Sequence, residues 1–166
     1  DYAYFSSYST SWLDHAKRYV DGMVERLGLG PNAKVVEVAS NDGYLLQYFL
    51  PHGIVPLGIE PAANVARDAE ERGVPTLVEF FTAELAQRLV DDGRGADLII
   101  GNNVLAQVPN LRDFVEGLEI LLKPSGLITL EFPHILQLMD GNQFDTIYHE
   151  HYSYFSLLAT ERIFAA

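Results

Sequence analysis

Hydrophobic positions along the chain follow two alternating periods. Short apolar runs at residues 35–38, 55–60, 75–80, 97–100 and 127–132 have the length and β-branched content of buried strands. Between them, apolar residues recur at three-to-four spacing, as in Trp12, Ala16, Tyr19, Met23 and Leu27, which predicts helices over residues 12–27, 44–50, 62–72, 83–90 and 111–122. Ser11 and Thr82 stand where N-caps belong. Gly28, Gly30 and Pro31, then Pro51 with Gly53, Pro61, Gly73 and the Pro124-Ser125-Gly126 turn punctuate the elements. Strand alternating with helix implies an α/β fold: a mostly parallel sheet with right-handed crossovers and helices on both faces. No internal repeat interrupts this rhythm.

Residues 34–46, KVVEVASNDGYLL, form the stretch around which the rest is arranged. A strand turns through Ala39-Ser40-Asn41-Asp42-Gly43 into an apolar run, and such a turn of small residues allows a ligand to approach the main chain. In a parallel sheet the ligand sits beyond the carboxyl ends of the strands, where strand order reverses. The residues that follow each strand therefore carry the functional weight: Ala39, Asn41 and Gly43, then Glu60, then Phe81, then Asn102, and Pro133 onward. Glu60 lies about 17 residues beyond Gly43, near the spacing at which an acid accepts hydrogen bonds from ribose hydroxyls. The turn has one glycine where a dinucleotide fingerprint needs three, and Asp42 faces the place a pyrophosphate would occupy. Together with Glu37 and Glu60 this favours a cationic, nonphosphorylated cofactor. Asn102 and Asn103 follow the fourth strand, either as turn caps or as ligands.

Composition narrows the class further. The 166 residues are 48% hydrophobic with mean hydropathy +0.04, enough for one domain with a core. No apolar run approaches the ~18 residues of a membrane span, and no signal-peptide pattern is present. The absence of cysteine rules out a disulfide framework or a thiolate zinc site within these residues and fits a cytoplasmic setting. Eleven basic residues against 23 acidic ones, net charge -12, argue against a nucleic acid polymer and for a small-molecule substrate. A chain that begins at Asp1 and stops at Ala166 within a helical pattern is expected to be part of a longer protein.

Two stretches remain. Residues 1–11 carry Tyr2, Tyr4, Phe5 and Tyr8 among serines, an aromatic arm that either packs on the domain or roofs a ligand site. Near the other end, Tyr148-His149-Glu150-His151-Tyr152-Ser153-Tyr154 gathers aromatic alcohols, imidazoles and a carboxylate. His149, Glu150 and His151 are metal-ligand types, but the sequence places no further partner beside them, so no metal is expected. General acid–base work suits the segment better: a histidine takes and returns a proton near neutrality, and Tyr hydroxyls stabilise developing oxyanion charge.

The segments EVASNDGYLL, GIEPAANVA, NNVLA, EFPHILQL and NQFDTIYHEHYSYFSL resemble the S-adenosylmethionine-dependent sugar C-methyltransferases of antibiotic deoxysugar pathways, over nearly the whole chain. The resemblance implies a Rossmann-like class I methyltransferase core spanning residues 1–166, with an N-terminal zinc-binding domain and a C-terminal domain expected on either side. It also implies methyl transfer to C-3 of a nucleotide-linked 4-keto-deoxysugar after removal of the α proton. Within the matched motif His151 is the first choice for the base, with Glu150 orienting it or a substrate group and Tyr148 near the enolate oxygen. Tyr2 is a second candidate base, and His149 the structural member of the histidine pair. Relatives often have histidine after NNVLA, where this chain has Gln107, which cannot shuttle a proton near neutral pH. A nicotinamide-dependent oxidoreductase acting on a similar sugar and an inactive cofactor-binding scaffold are the competing readings.

Overall fold

A computed structural model describes residues 2–165. Five parallel strands form one sheet, β1 (Val35–Val38), β2 (Leu57–Ile59), β3 (Thr76–Leu77), β4 (Ala96–Asn102) and β5 (Leu122–Glu131), in the order β3-β2-β1-β4-β5. The chain builds outward from β1 to β3, then returns to lay β4 against the other side of β1. The reversal of strand order thus falls between β1 and β4, the position a ligand site takes in an open α/β sheet.

Both faces are covered. On one, α1 (Thr10–Leu27) buries Ala16, Val20 and Met23 with Phe49, Ile54 and Ala69 of α2 (Ala63–Glu71) against Val35, Leu98 and Ile100. On the other, α3 (Ala83–Asp91) and α4 (Leu111–Leu121) bury Leu85, Leu89, Phe114 and Leu118 against Val36, Val38, Ile59 and Ile99. Alternate residues of β1 and β4 therefore feed opposite cores, as the period of a strand requires. Thr82 caps α3 by accepting from the Leu85 N–H at 3.1 Å.

Local differences from the sequence pattern have physical causes. The cap of α1 is Ser9, not Ser11: its hydroxyl accepts from the Trp12 N–H, so the helix starts at Thr10. Residues 44–50 do not form an α-helix. A 3-10 stretch, Leu46–His52, takes their place, and Pro51 inside it cannot supply an N–H to an α-helical ladder. The second and third strands are shorter than their apolar runs. β5 begins earlier than residue 127, because Ala96 pairs with Leu122 and Leu98 with Leu127, leaving the Pro124-Ser125-Gly126 turn as a bulge within the strand. After β5 come two short helices, α5 (Ile135–Asp140) and α6 (Leu157–Phe164), with residues 141–156 folded back between them.

Candidate active site

At the switch point the strand ends open into a cavity of about 850 Å³, within the range of small-molecule sites. Ala39 and Asn41 after β1, Glu60 after β2, Asn102 and Asn103 at the end of β4, and Pro133 after β5 form its floor. Tyr2, Tyr4 and Ser6 from the arm, and Tyr148, Glu150 and His151 from the far end of the chain, form its walls. Of the residues singled out from sequence, Ala39, Asn41, Glu60, Asn102, Tyr2, Tyr148, Glu150 and His151 thus meet around one space. Glu37, Gly43 and Phe81 stand outside the lining.

The floor is held in uncommon backbone geometry. Ala39, Asn41 and Asn103 have φ of 58°, 49° and 54°, left-handed conformations that cost non-glycine residues about 1 kcal/mol each and concentrate at functional sites. Two of the three are asparagine, the side chain that best tolerates this region. The Ala39 N–H donates to the Ile59 carbonyl at 2.8 Å and the Asn103 N–H to the Glu131 carbonyl at 2.7 Å, so neighbouring strands fix both turns.

Glu60 is buried, and burial raises its carboxyl above the ordinary range while the Ala62 and Asn41 amides oppose the shift. The Asn41 N–H donates to Oε2 at 3.0 Å and the Ala62 N–H to Oε1 at 2.9 Å. Each oxygen keeps a second lone pair, and the cavity supplies the open side. Ribose hydroxyls are donors that such a carboxylate accepts.

The turn after β1 works differently from what its sequence implies. Gly43 does not clear space for a ligand: at φ 73° a Cβ there would stand 3.1 Å from Ala69 Cβ, so glycine lets the turn close on α2. Asp42 does not face the cavity either. Its buried carboxylate pairs with Arg72 at 3.1 Å and accepts from the Ser7 hydroxyl and N–H, which anchors the arm. Glu37 lies beneath the floor, fully buried, with neither carboxylate oxygen engaged by a donor among the described residues. Burial first, then Asp42, then Glu60 push it well above the ordinary range; the nearby Tyr44 hydroxyl opposes the shift without a hydrogen bond of normal geometry. Phe81 packs edge-on against Phe114 in the core between α3 and α4.

Across the cavity, His151 is locked by its own loop. Its Nδ1 lies 2.8 Å from the Thr146 carbonyl oxygen, which can only accept, so Nδ1 carries the proton and the lone pair of the neutral ring resides on Nε2. The orienting group is therefore this backbone carbonyl and not Glu150. Glu150 instead lies 3.9 Å from His149, whose side chain is 88% exposed and takes no part in the core. The Tyr148 ring lies 4.4 Å from the His151 ring, centroid to centroid, tilted by 43°, and burial followed by Glu150 raises its hydroxyl pKa. The segment is tied to the floor through Ala106, whose carbonyl accepts from the Tyr152 and Ser153 N–H groups at 2.8 and 3.2 Å. Gln107, on the same 3-10 turn, lines the cavity.

Trp12 and Tyr44 also line the cavity, stacked at 6.1 Å, and the Asn102 Nδ2 donates to the Tyr44 hydroxyl at 3.1 Å. Neither aromatic stands out in the sequence as a site residue, because the apolar periodicity assigns both to helical faces where a core position is the ordinary reading. Tyr44 alone had a signal: it directly follows the turn.

Among the described lining residues are two carboxylates and neither Lys nor Arg. That donor set fits a ligand bearing positive charge and ribose hydroxyls better than one bearing phosphates. Fold and site place the chain among the Rossmann-like class I methyltransferases, whose cofactor is S-adenosylmethionine. A family model described as a methyltransferase domain matches residues 12–166, and the chain belongs to that family. Among curated proteins, C-methyltransferase NovU of Streptomyces niveus is 40% identical over 156 residues, covering 94% of this chain and 37% of NovU, so the chain spans little more than a third of that relative. Solved structures share the fold at low identity. The PH0226 protein from Pyrococcus horikoshii OT3 superposes with TM-score 0.75 at 15% identity, over 98% of this chain and 84% of that one. A SAM-dependent methyltransferase from Archaeoglobus fulgidus gives 0.70 at 15%, over 95% and 73%.

Proposed function

We propose that residues 1–166 are the methyl-transferring part of a C-methyltransferase that acts at C-3 of a nucleotide-linked 4-keto-deoxysugar. The observation that carries the reading is the imidazole of His151, held in one tautomer by Thr146 over the same cavity that Glu60 enters from the sheet. Likeness to NovU, named a C-methyltransferase, and the sugar C-methyltransferase motifs support it.

Glu60 holds the ribose hydroxyls of the cofactor, with Ala39, Asn41 and Asn102 beside it. S-adenosylmethionine, when bound, would supply an electrophilic methyl group, its sulfur keeping the electron pair of the broken S–CH₃ bond as a neutral thioether. On the substrate side, Nε2 of His151 removes the proton next to the ketone, and the electron pair of that C–H bond passes into the enolate, whose carbon then forms the new carbon–carbon bond. Tyr148 or Tyr2 donates a hydrogen bond to the enolate oxygen as its charge grows. Glu150 accepts from a sugar hydroxyl, and Gln107 offers a hydrogen bond without proton transfer. The keto-sugar ring occupies the cavity, while its anionic linker stays at the mouth, away from Glu60.

A dinucleotide-dependent oxidoreductase fits less well, since its pyrophosphate would meet an acid-lined floor with neither Lys nor Arg among the described lining residues. The test is product analysis: the full chain, given S-adenosylmethionine and nucleotide-linked 4-keto-deoxysugars, should yield a carbon-bound methyl group. Methylation on oxygen or nitrogen alone would contradict the reading.

A further inference from the structure

The aromatic arm reaches the cavity as backbone that belongs to no strand, and its polar groups are taken up by side chains. Asn64 in α2 accepts from the Tyr2 N–H through Oδ1 at 2.9 Å and donates from Nδ2 to the Tyr2 carbonyl at 2.7 Å. Asn41 repeats the device further along, accepting from the Ser6 N–H at 3.0 Å and donating to the Tyr4 carbonyl at 3.1 Å. Ser7 then docks on Asp42, and Arg72 donates to the Ser7 hydroxyl at 3.0 Å. In each asparagine the two ends of the amide have opposite jobs, so neither amide can be flipped without losing both bonds.

Among the described residues, only Asn64 grips Tyr2 itself. By taking both the N–H and the carbonyl of one residue, its carboxamide does what a neighbouring strand would do, and so fixes the direction in which the Tyr2 side chain leaves the backbone. The amide is not needed by its own helix: the cap of α2 is Ala62, which makes no side-chain capping bond, and asparagine is a poor helix former. Tyr2 lines the cavity, and burial followed by the nearness of Glu150, Tyr148 and Glu60 raises its hydroxyl pKa, which sets it between the two halves of the site.

We infer that Asn64 is a positioning residue for methyl transfer, clasping the Tyr2 backbone so that the Tyr2 hydroxyl is aimed at the reacting part of the substrate. The inference rests on the reading of Tyr2 as a substrate-contacting group. A misplacement of about 1 Å in a reacting site can lower turnover by about a hundredfold, so Asn64→Ala in the full chain should reduce kcat by about 10- to 100-fold. Affinity for S-adenosylmethionine by calorimetry should remain within about twofold of the parent, as should KM for the keto-sugar, because no ligand contact is removed.

The decisive comparison is a double-mutant cycle with Tyr2→Phe. If Asn64 acts through the Tyr2 hydroxyl, Asn64→Ala costs less than about threefold once that hydroxyl is gone. An Asn64→Ala enzyme with parental kcat, or one whose loss persists in full on the Tyr2→Phe background, would overturn the inference. Parental turnover in Tyr2→Phe alone would instead remove Tyr2 from the chemistry, a separate failure that the same four enzymes report. Thermal melting of each variant separates loss of fold from loss of aim.

Discussion

The Nδ1 of His151 and the carbonyl oxygen of Thr146 are 2.8 Å apart, and this bond decides which nitrogen of the ring can act as a base. A carbonyl accepts and never donates, so the proton of the neutral imidazole is held at Nδ1 and the basic lone pair stays on Nε2. Replacing His151 with Ala should lower turnover by about 10²- to 10⁴-fold, the usual worth of a positioned acid–base group, with cofactor affinity unchanged in calorimetry. Equal loss of affinity and turnover would mean that His151 binds and does not catalyse.

Glu60 is expected to dominate cofactor binding. Its two oxygens already accept the Asn41 and Ala62 amides, so Glu60→Gln puts an NH₂ group against an N–H donor and removes an acceptor from the cavity. Loss of a charge-assisted contact of about 1.5 to 3 kcal/mol corresponds to about 10- to 150-fold weaker S-adenosylmethionine binding, measurable by titration calorimetry.

Glu37 makes a prediction about pH. Its carboxyl binds a proton more tightly in the folded chain than at its ordinary value of 4.5, because burial, Asp42 and Glu60 all disfavour the charge. The stability this contributes is present in full below that ordinary value and is lost as pH rises toward the folded one. Glu37→Gln removes the loss. Its melting temperature should match the parent near pH 4 and exceed it increasingly from pH 5 upward, in paired thermal scans. A variant less stable than the parent at pH 7 would show that the charge is compensated inside the protein.

The Arg72–Asp42 pair ties α2, the turn after β1 and the arm together. Asp42 is buried and Arg72 partly exposed, so Arg72→Ala leaves a buried carboxylate with the Ser7 donors alone. A cost of about 2 kcal/mol in denaturant unfolding is expected, below that of a fully buried pair because water reaches the arginine.

Much of the framework could be read from residues. The five strands announce themselves as β-branched runs, and Thr82 marks the start of α3. Glu60 follows from a rule that ties chain spacing to the geometry of a βαβ unit. What resisted reading was anything set by tertiary contact. Gly43 resembled a ligand cradle but answers to Ala69, a neighbour that no local pattern reveals. Asp42 appeared as a selector of cofactor charge, yet its direction is chosen by Arg72 some thirty positions away, as the chain numbering shows. Phe81 sits where strand ends usually meet ligands, but β3 is the outermost strand on its side, and the chain there turns into the core against Phe114. Asn41 was legible as a floor residue, whereas its grip on the arm depends on where residues 4 and 6 return in space.

The central claim is that one cavity joins a cofactor half built on Glu60 to a proton-handling half built on His151. The most direct test supplies the full chain with S-adenosylmethionine carrying a ¹³C methyl group and a nucleotide-linked 4-keto-deoxysugar, and follows the label by NMR. The account predicts a carbon-bound methyl at the position next to the ketone, with loss of that carbon's proton to solvent, and neither event in His151→Ala. Label found on oxygen or nitrogen, or carbon methylation at the parental rate in His151→Ala, would contradict it.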